Sequence, residues 1–248
     1  VRRIVRPALP GHTQAFLDRR QKSVNDQYRL GVLNIDRDWK AARRSQSIKL
    51  VLRTLQQAMG PRERCMYCLD SHGSDIEHFR PKARFPKHAY RWKNLLLCCT
   101  ECGRHKGSQF PKSNGRVLLI DPTVDDPWLH LDFDPATGNL TARFDLAVND
   151  WSIKGSTTVQ VLQLDRREAL AAGYTKTYRR LVTIVQDALA KLTDGAVTSS
   201  GLWAALRDAD DHGLLPWCLR GNGQNLTPFA DLRELHASVW LAGVKAFK

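Results

Sequence analysis

Through the first sixty positions apolar residues recur at three- and four-residue steps. Ile48, Val51, Leu52, Leu55 and Met59 fall on one stripe that Gly60-Pro61 closes, so a helix is expected there, with an earlier one around residues 13–33. Near residue 129 the period shortens to two. Leu129, Leu131 and Phe133, then Leu140, Ala142 and Phe144, flank Ala-Thr-Gly-Asn and predict a β-hairpin. Beyond Asp150 the helical period returns. Asp165-x-x-Glu168 has capping-box spacing, in which an aspartate accepts from a free backbone N–H while a glutamate reaches back. Tyr174, Tyr178, Leu181, Val185, Leu189 and Leu192 then mark one face up to Gly195. A last helix is expected to open at Thr227-Pro228, with threonine as N-cap and proline at the first helical position. Phe229, Leu232, Leu235, Val239 and Leu241–Val244 would form its apolar side. The pattern predicts an α+β chain, mostly helical, in four stretches: a basic helical region (1–60), a core (61–112), an acidic hairpin (113–150) and a helical C-terminal region (151–248) suited to packing and partner docking.

Charge sharpens this division. The chain has 38 Lys+Arg against 25 Asp+Glu, a formal net charge of +13, which favours a polyanionic partner but also reads as a solubility charge. Residues 1–53 carry 13 basic residues against 4 aspartates, whereas residues 121–150 carry seven aspartates and one arginine. No run of about 18 apolar residues occurs, so no spanning helix is expected. The opening VRRIVRPALPGH is basic without an apolar stretch and does not read as a secretory signal, so a cytoplasmic protein with no membrane partner is expected.

Of six cysteines, four form two pairs, Cys65-Met-Tyr-Cys68 and Cys99-Thr-Glu-Cys102. A C-x-x-C turn puts two sulfurs on one side of a tight knuckle, matching two edges of a tetrahedron with Zn–S near ~2.3 Å. Two knuckles fill four positions and leave none open, which predicts a closed, structural Zn2+ site that stabilises a loop-rich segment directly. Cys98 could replace Cys99 as C-x3-C, but Cys99 gives the tighter pair and Cys98, after three leucines, reads as a buried thiol; Cys218 stands alone and reads as structural.

Between and beyond the knuckles lie Asp75-Ile-Glu-His-Phe-Arg-Pro-Lys82, Trp92-Lys-Asn-Leu-Leu-Leu and Gly103-Arg-His-Lys106. Nine Lys and Arg stand against Glu101 alone across residues 79–112, as phosphate-backbone binding requires; Lys82 and Lys106 lead the candidates for phosphate contact, with Arg80 and Arg104 beside them. Trp92 and Tyr90 are candidates for base stacking, with core packing the commoner use.

The order C-x2-C, E-H-x-x-P-K, N-L, C-x2-C, x-x-x-K across residues 65–106 resembles the HNH (ββα-metal) endonuclease motif. That resemblance implies a ββα-metal core in which His78 is the general base, Glu77 a ligand of a catalytic Mg2+ or Mn2+, and Asn94 the residue that pins the loop and orients the imidazole. Its chemistry is metal-assisted phosphodiester hydrolysis, with an imidazole taking a proton from water near neutral pH. The family's second ligand usually follows the last cysteine directly; here that position is Gly103. Asp75, which shares the strand parity of Glu77, and His105 are the candidate substitutes, although two residues along a helix is a ~200° rotation.

The flanks IEHFRPK, YRWKNLLL, Lys106-Gly107, Phe110-Pro111 and LLIDPTVDDP, with RRIVRP near the start, resemble the HNH subunits of Septu-type and retron-associated antiphage systems. Such a resemblance implies an ATPase partner (PtuA-like), sometimes joined by a retron reverse transcriptase with its noncoding nucleic acid. DNA is the favoured target. RNA, including tRNA, is an alternative, because metal-assisted hydrolysis has no use for the 2′-OH. A zinc-ribbon binding or assembly module whose catalytic centre has decayed is the rival reading, with Gly103 in its favour.

Overall fold

The structure is a computed structural model and describes residues 2–247. The four sequence stretches gather into two compact units, one holding residues 3–67 and 71–125, the other residues 68–70 with the chain from 126 onward.

In the first unit, α1 (Gly11–Arg29), α2 (Ile35–Ala42) and α3 (Gln46–Ala58) replace the two expected helices. Asn34 and Ser45 cap α2 and α3, each accepting from the backbone N–H three residues on. Ile48, Val51 and Leu55 form the buried face of α3, as their spacing predicts. A two-stranded antiparallel sheet follows, β1 (Asp75–His78) against β2 (Leu95–Cys98), in the register Asp75↔Cys98, Ile76↔Leu97, Glu77↔Leu96, His78↔Leu95. Leu95, Leu96 and Leu97 are fully buried, so β2 is covered on both faces. The chain then enters α4 (Thr100–Lys106), and a short hairpin, β3 (Lys112–Ser113) with β4 (Arg116–Val117), comes after it. Strand, strand and helix thus surround the cysteines. Gln21 ties the 79–91 loop to α1: its side-chain amide donates to the Pro86 carbonyl at 3.1 Å and accepts from the Tyr90 N–H at 2.8 Å. All three N-terminal helices fall within this unit.

In the second unit, β5 (Leu131–Phe133) pairs with β6 (Leu140–Ala142) as the expected hairpin, but two of its assigned residues fall elsewhere. Leu129 sits in a 3-10 turn and is exposed, and Phe144 belongs to a separate hairpin, β7 (Phe144–Asp145) with β8 (Asp150–Trp151). Helices α5 (Ile153–Leu162), α6 (Glu168–Thr193), α7 (Ser199–Ala209) and α8 (Leu215–Arg220) follow. Then come α9 (Phe229–Leu235) and α10 (Ala237–Ala246). Asp165 does not cap α6: α5 ends in Gln163 at φ 49°, the intervening turn absorbs Asp165, and the N-cap is Arg167. The single last helix is two, broken at His236, and its N-cap is Pro228 rather than Thr227. Tyr174, Leu181, Val185, Trp217 and Phe229 are fully buried, and Phe133 meets Trp217 edge-on at 5.2 Å. Among the described residues no helix is long and apolar enough to cross a membrane.

Candidate metal and active site

Cys65, Cys68, Cys99 and Cys102 are all buried, and their sulfurs lie within 4.8 Å of one another. Tetrahedral bonds of ~2.3 Å set S···S near ~3.8 Å, so the four thiols can hold a metal such as zinc. Cys99 is also the N-cap of α4, its sulfur accepting from the Cys102 N–H at 3.4 Å, so the helix start and the second knuckle are one feature. Cys98 stays outside, with its thiol on the Cys99 carbonyl at 3.3 Å.

Strand alternation decides where the neighbouring residues go. Asp75 and Glu77 leave β1 on one face, Ile76 and His78 on the other, and the second pair is the buried one. Glu77 faces α4. Its Oε1 accepts from the Lys106 ammonium at 2.8 Å, and the same ammonium donates to the His78 carbonyl at 2.7 Å. Lys106 is entirely buried, so the expectation of phosphate contact does not fit this structure: it neutralises a carboxylate that burial pushes above its ordinary pKa and that Lys106 draws back down. A Cβ at Gly103 would lie 3.8 Å from Glu77 Oε2, with no closer contact. A side chain at residue 103 would therefore lie beside Glu77, and also beside the Cys98 sulfur at 3.8 Å, and a glycine leaves that space open. The Tyr67 hydroxyl, inside the first knuckle, is buried without a hydrogen-bond partner; burial raises its pKa well above the ordinary phenol value, and Glu77 adds to the rise. Sequence reasoning gave Tyr67 no role, although its place within C-x-x-C signals proximity to the site.

His78 faces the other way, under Trp39 of α2, whose ring centroid is 4.4 Å away. Its Nε2 lies 3.0 Å from the Ala89 carbonyl; a carbonyl only accepts, so Nε2 carries the proton and Nδ1 the lone pair. Burial pushes the pKa of His78 down to about 3, against the carbonyl contact, which raises it; Lys82 and Lys106 lower it further. Asn94 is buried and saturated: Oδ1 accepts from the Arg80 N–H at 2.8 Å, and Nδ2 donates to the carbonyls of Arg80 at 3.1 Å and His88 at 3.0 Å. It closes the loop whose next residue, Ala89, holds His78.

The remaining candidates disperse. Asp75 bonds Arg43 at 2.8 Å, half-exposed, yet close enough to Glu77 to raise its pKa. His105 pairs with Glu101 at 3.9 Å on the other side of α4 from Gly103 and Lys106, as the helical rotation requires, so it does not join Glu77. Among the described residues, the four cysteines are the one group of three or more His, Cys, Asp or Glu side chains gathered closely enough for a metal. Lys82 pairs with Asp36 at 2.8 Å, the Arg80 guanidinium lies 3.2 Å from His88 Nε2, and Arg104 is exposed on α4. Tyr90 is buried with its hydroxyl on Asp38 and cannot stack on a base.

No family model matches the chain. A Septu protein PtuB of Bacillus thuringiensis is 33% identical over 112 residues, which cover 43% of this chain and 38% of the relative. A second Septu protein PtuB, from Bacillus mycoides (strain KBAB4), is 29% identical over 178 residues, 59% of this chain and 56% of the relative. The chain thus spans about half the length of the curated relatives it matches. By sequence, and over part of its length, it is similar to the Septu protein PtuB.

Proposed function

We propose that this chain is a metal-dependent HNH endonuclease that hydrolyses nucleic-acid phosphodiester bonds, DNA foremost, and serves antiphage defence beside a PtuA-like ATPase partner. The observation that carries the reading is the state of His78. With Nε2–H committed to the Ala89 carbonyl, Nδ1 keeps its lone pair and can accept a proton, at the end of β1 opposite Leu95. Asn94 fixes the loop that fixes that ring. The strand–strand–helix order around the cysteines and the likeness to PtuB support the same reading. Mg2+ ordinarily takes only one or two protein carboxylates and keeps several waters, so Glu77 Oε2, with Asp75 along the same face, fits as the protein's share of a catalytic site. Such an ion supplies charge stabilisation at the phosphate. Zn2+ in the four cysteines would hold β2 and α4 in place and take no part in the chemistry.

One feature qualifies how the site works. Lys106 occupies Glu77 Oε1 and Trp39 covers His78, so both groups are engaged internally. That arrangement describes a resting form, opened by substrate or partner. The same contacts favour a second reading, a nucleic-acid-binding module without catalysis.

Cleavage of single- and double-stranded DNA and of RNA, including tRNA, measured with Mg2+ or Mn2+, alone and with the partner ATPase, separates the two. The nuclease reading expects products with 5′-phosphate and 3′-hydroxyl ends, lost in His78→Ala. If no substrate is cut under any of these conditions while binding persists in both forms, the binding module stands instead.

A further inference from the structure

A cleft of about 610 Å3 opens in the first unit, and neither Glu77 nor His78 lines it. Its lining is divided by chemistry. Trp92 and Phe79 supply aromatic surface. Two contacts hold Trp92: its indole N–H donates to the Pro7 carbonyl at 3.0 Å, and the Arg6 guanidinium lies 4.8 Å over its ring. Arg80, Arg91 and Lys93 supply cations. The Arg80 guanidinium is oriented by His88 Nε2, and burial together with Arg80, Arg91 and Lys112 lowers the pKa of His88, so this edge keeps its positive charge on the arginines and lysines. Gln14 and Asp18, one turn apart on α1, supply acceptors: the Gln14 amide donates to Asp18 Oδ1 at 3.1 Å, leaving Gln14 Oε1 and Asp18 Oδ2 available. Asp121 also lines the cleft, but its carboxylate is used within its own turn, bonded to the Thr123 N–H and hydroxyl at 2.9 and 2.8 Å.

Aromatic surface, a cationic edge and an acceptor edge around a space of this size match the three parts of one nucleotide. Bases stack on aromatic rings whatever their identity, phosphates seek arginine and lysine, and acceptors select bases that carry an amino group. We propose that the cleft binds a single nucleotide, its base against Trp92 with the amino edge toward Gln14 and Asp18, and its phosphate against Arg80, Arg91 and Lys93. The nucleotide is then either one residue of the strand presented for cutting, which rests on the nuclease reading above, or a free nucleoside monophosphate. The ligand class is the same in both cases. Adenine, cytosine and guanine nucleotides bind in preference to thymine nucleotides, which lack an amino group.

The test is titration calorimetry on the full chain without added divalent ion, using deoxycytidine monophosphate, thymidine monophosphate, ribose 5-phosphate and inorganic phosphate. Deoxycytidine monophosphate is expected to bind about tenfold more tightly than ribose 5-phosphate, the scale of one stacked base. Arg91→Glu with Lys93→Glu, both exposed positions, should weaken it by at least about tenfold with the melting temperature unchanged. Asp18→Leu should reduce deoxycytidine monophosphate to the level of thymidine monophosphate. A cytosine oligonucleotide that competes for the cleft identifies a strand residue as the occupant; binding of the monophosphate without such competition identifies a free nucleotide. Equal affinity for ribose 5-phosphate and the nucleotide, or no effect of the double charge reversal, overturns the proposal. Because no cleavage is measured, a chain that cuts but fails these titrations loses this inference alone, and one that passes but never cuts loses the nuclease reading alone.

Discussion

The two units of the chain are held together by different means. In the unit of residues 3–67 and 71–125, the regular elements near the candidate site are short, four-residue strands and a seven-residue helix. Point contacts fix them: the Cys65, Cys99 and Cys102 thiols, the Lys106–Glu77 pair, the Asn94 clamp and the Gln21 tie. In the other unit a 26-residue helix and its neighbours bury whole aromatic and aliphatic side chains against one another. Apolar packing spreads stability over many contacts of small individual value, whereas ligation and buried polar clamps concentrate it in a few. Concentrated stability suits a site that must hold charged groups in place without a large core. It also makes that unit sensitive to single changes.

The largest expected effect tests this contrast directly. Stripping the metal with a chelator, or Cys102→Ser, should release folding energy on the scale of ~10 kcal/mol that structural zinc sites supply. Hydrogen exchange should then show loss of protection in β1, β2 and α4 while amides in the middle of α6 stay protected. Equal loss in α6 would erase the distinction between the units.

Next in size is Lys106→Met. It leaves the Glu77 carboxylate buried without its cation, and such a break costs roughly 3–5 kcal/mol. Chemical denaturation should show that loss, and adding Glu77→Gln should recover part of it. Additive losses in the double variant would mean the two groups do not act as a pair.

In the helical unit, Leu181→Ala removes a fully buried side chain and should cost about 2–5 kcal/mol through the cavity it leaves. It should leave amide protection in β1, β2 and α4 unchanged, as measured by hydrogen exchange. Equal loss of protection there would contradict the separate means of support.

The smallest effect belongs to the exposed surface. Arg104→Ala should change stability by no more than about 0.5 kcal/mol, while lowering the slope of log affinity for DNA against log salt by about one. An unchanged slope would rule out Arg104 as a phosphate contact.

Much of this was legible in the residues, and the failures are specific. The cysteine knuckles, the α3 stripe and the pairing of residues 131–133 with 140–142 follow from spacing within a few residues. Asp165 read as a cap because its spacing is right, but the end of α5 claims the same residues. Lys106 read as a phosphate contact because it closes a basic cluster, and nothing nearby in sequence announces that Glu77, 29 residues away, takes it inward. Gln21 did carry a signal, since it falls on the same helical face as Leu17 and Val24. Trp39 carried none.

The sequence by itself determined the α3 stripe, the pairing of residues 131–133 with 140–142 and the cysteine knuckles, because periodicity and ligand spacing act along the chain over one or two turns. Tertiary structure decided what each polar side chain faces: Lys106 on Glu77, His78 under Trp39, His105 on Glu101 rather than beside Glu77. The destination of a charged or imidazole group depends on which partner can offset its loss of water, and that partner arrives from elsewhere in the chain only when the elements pack.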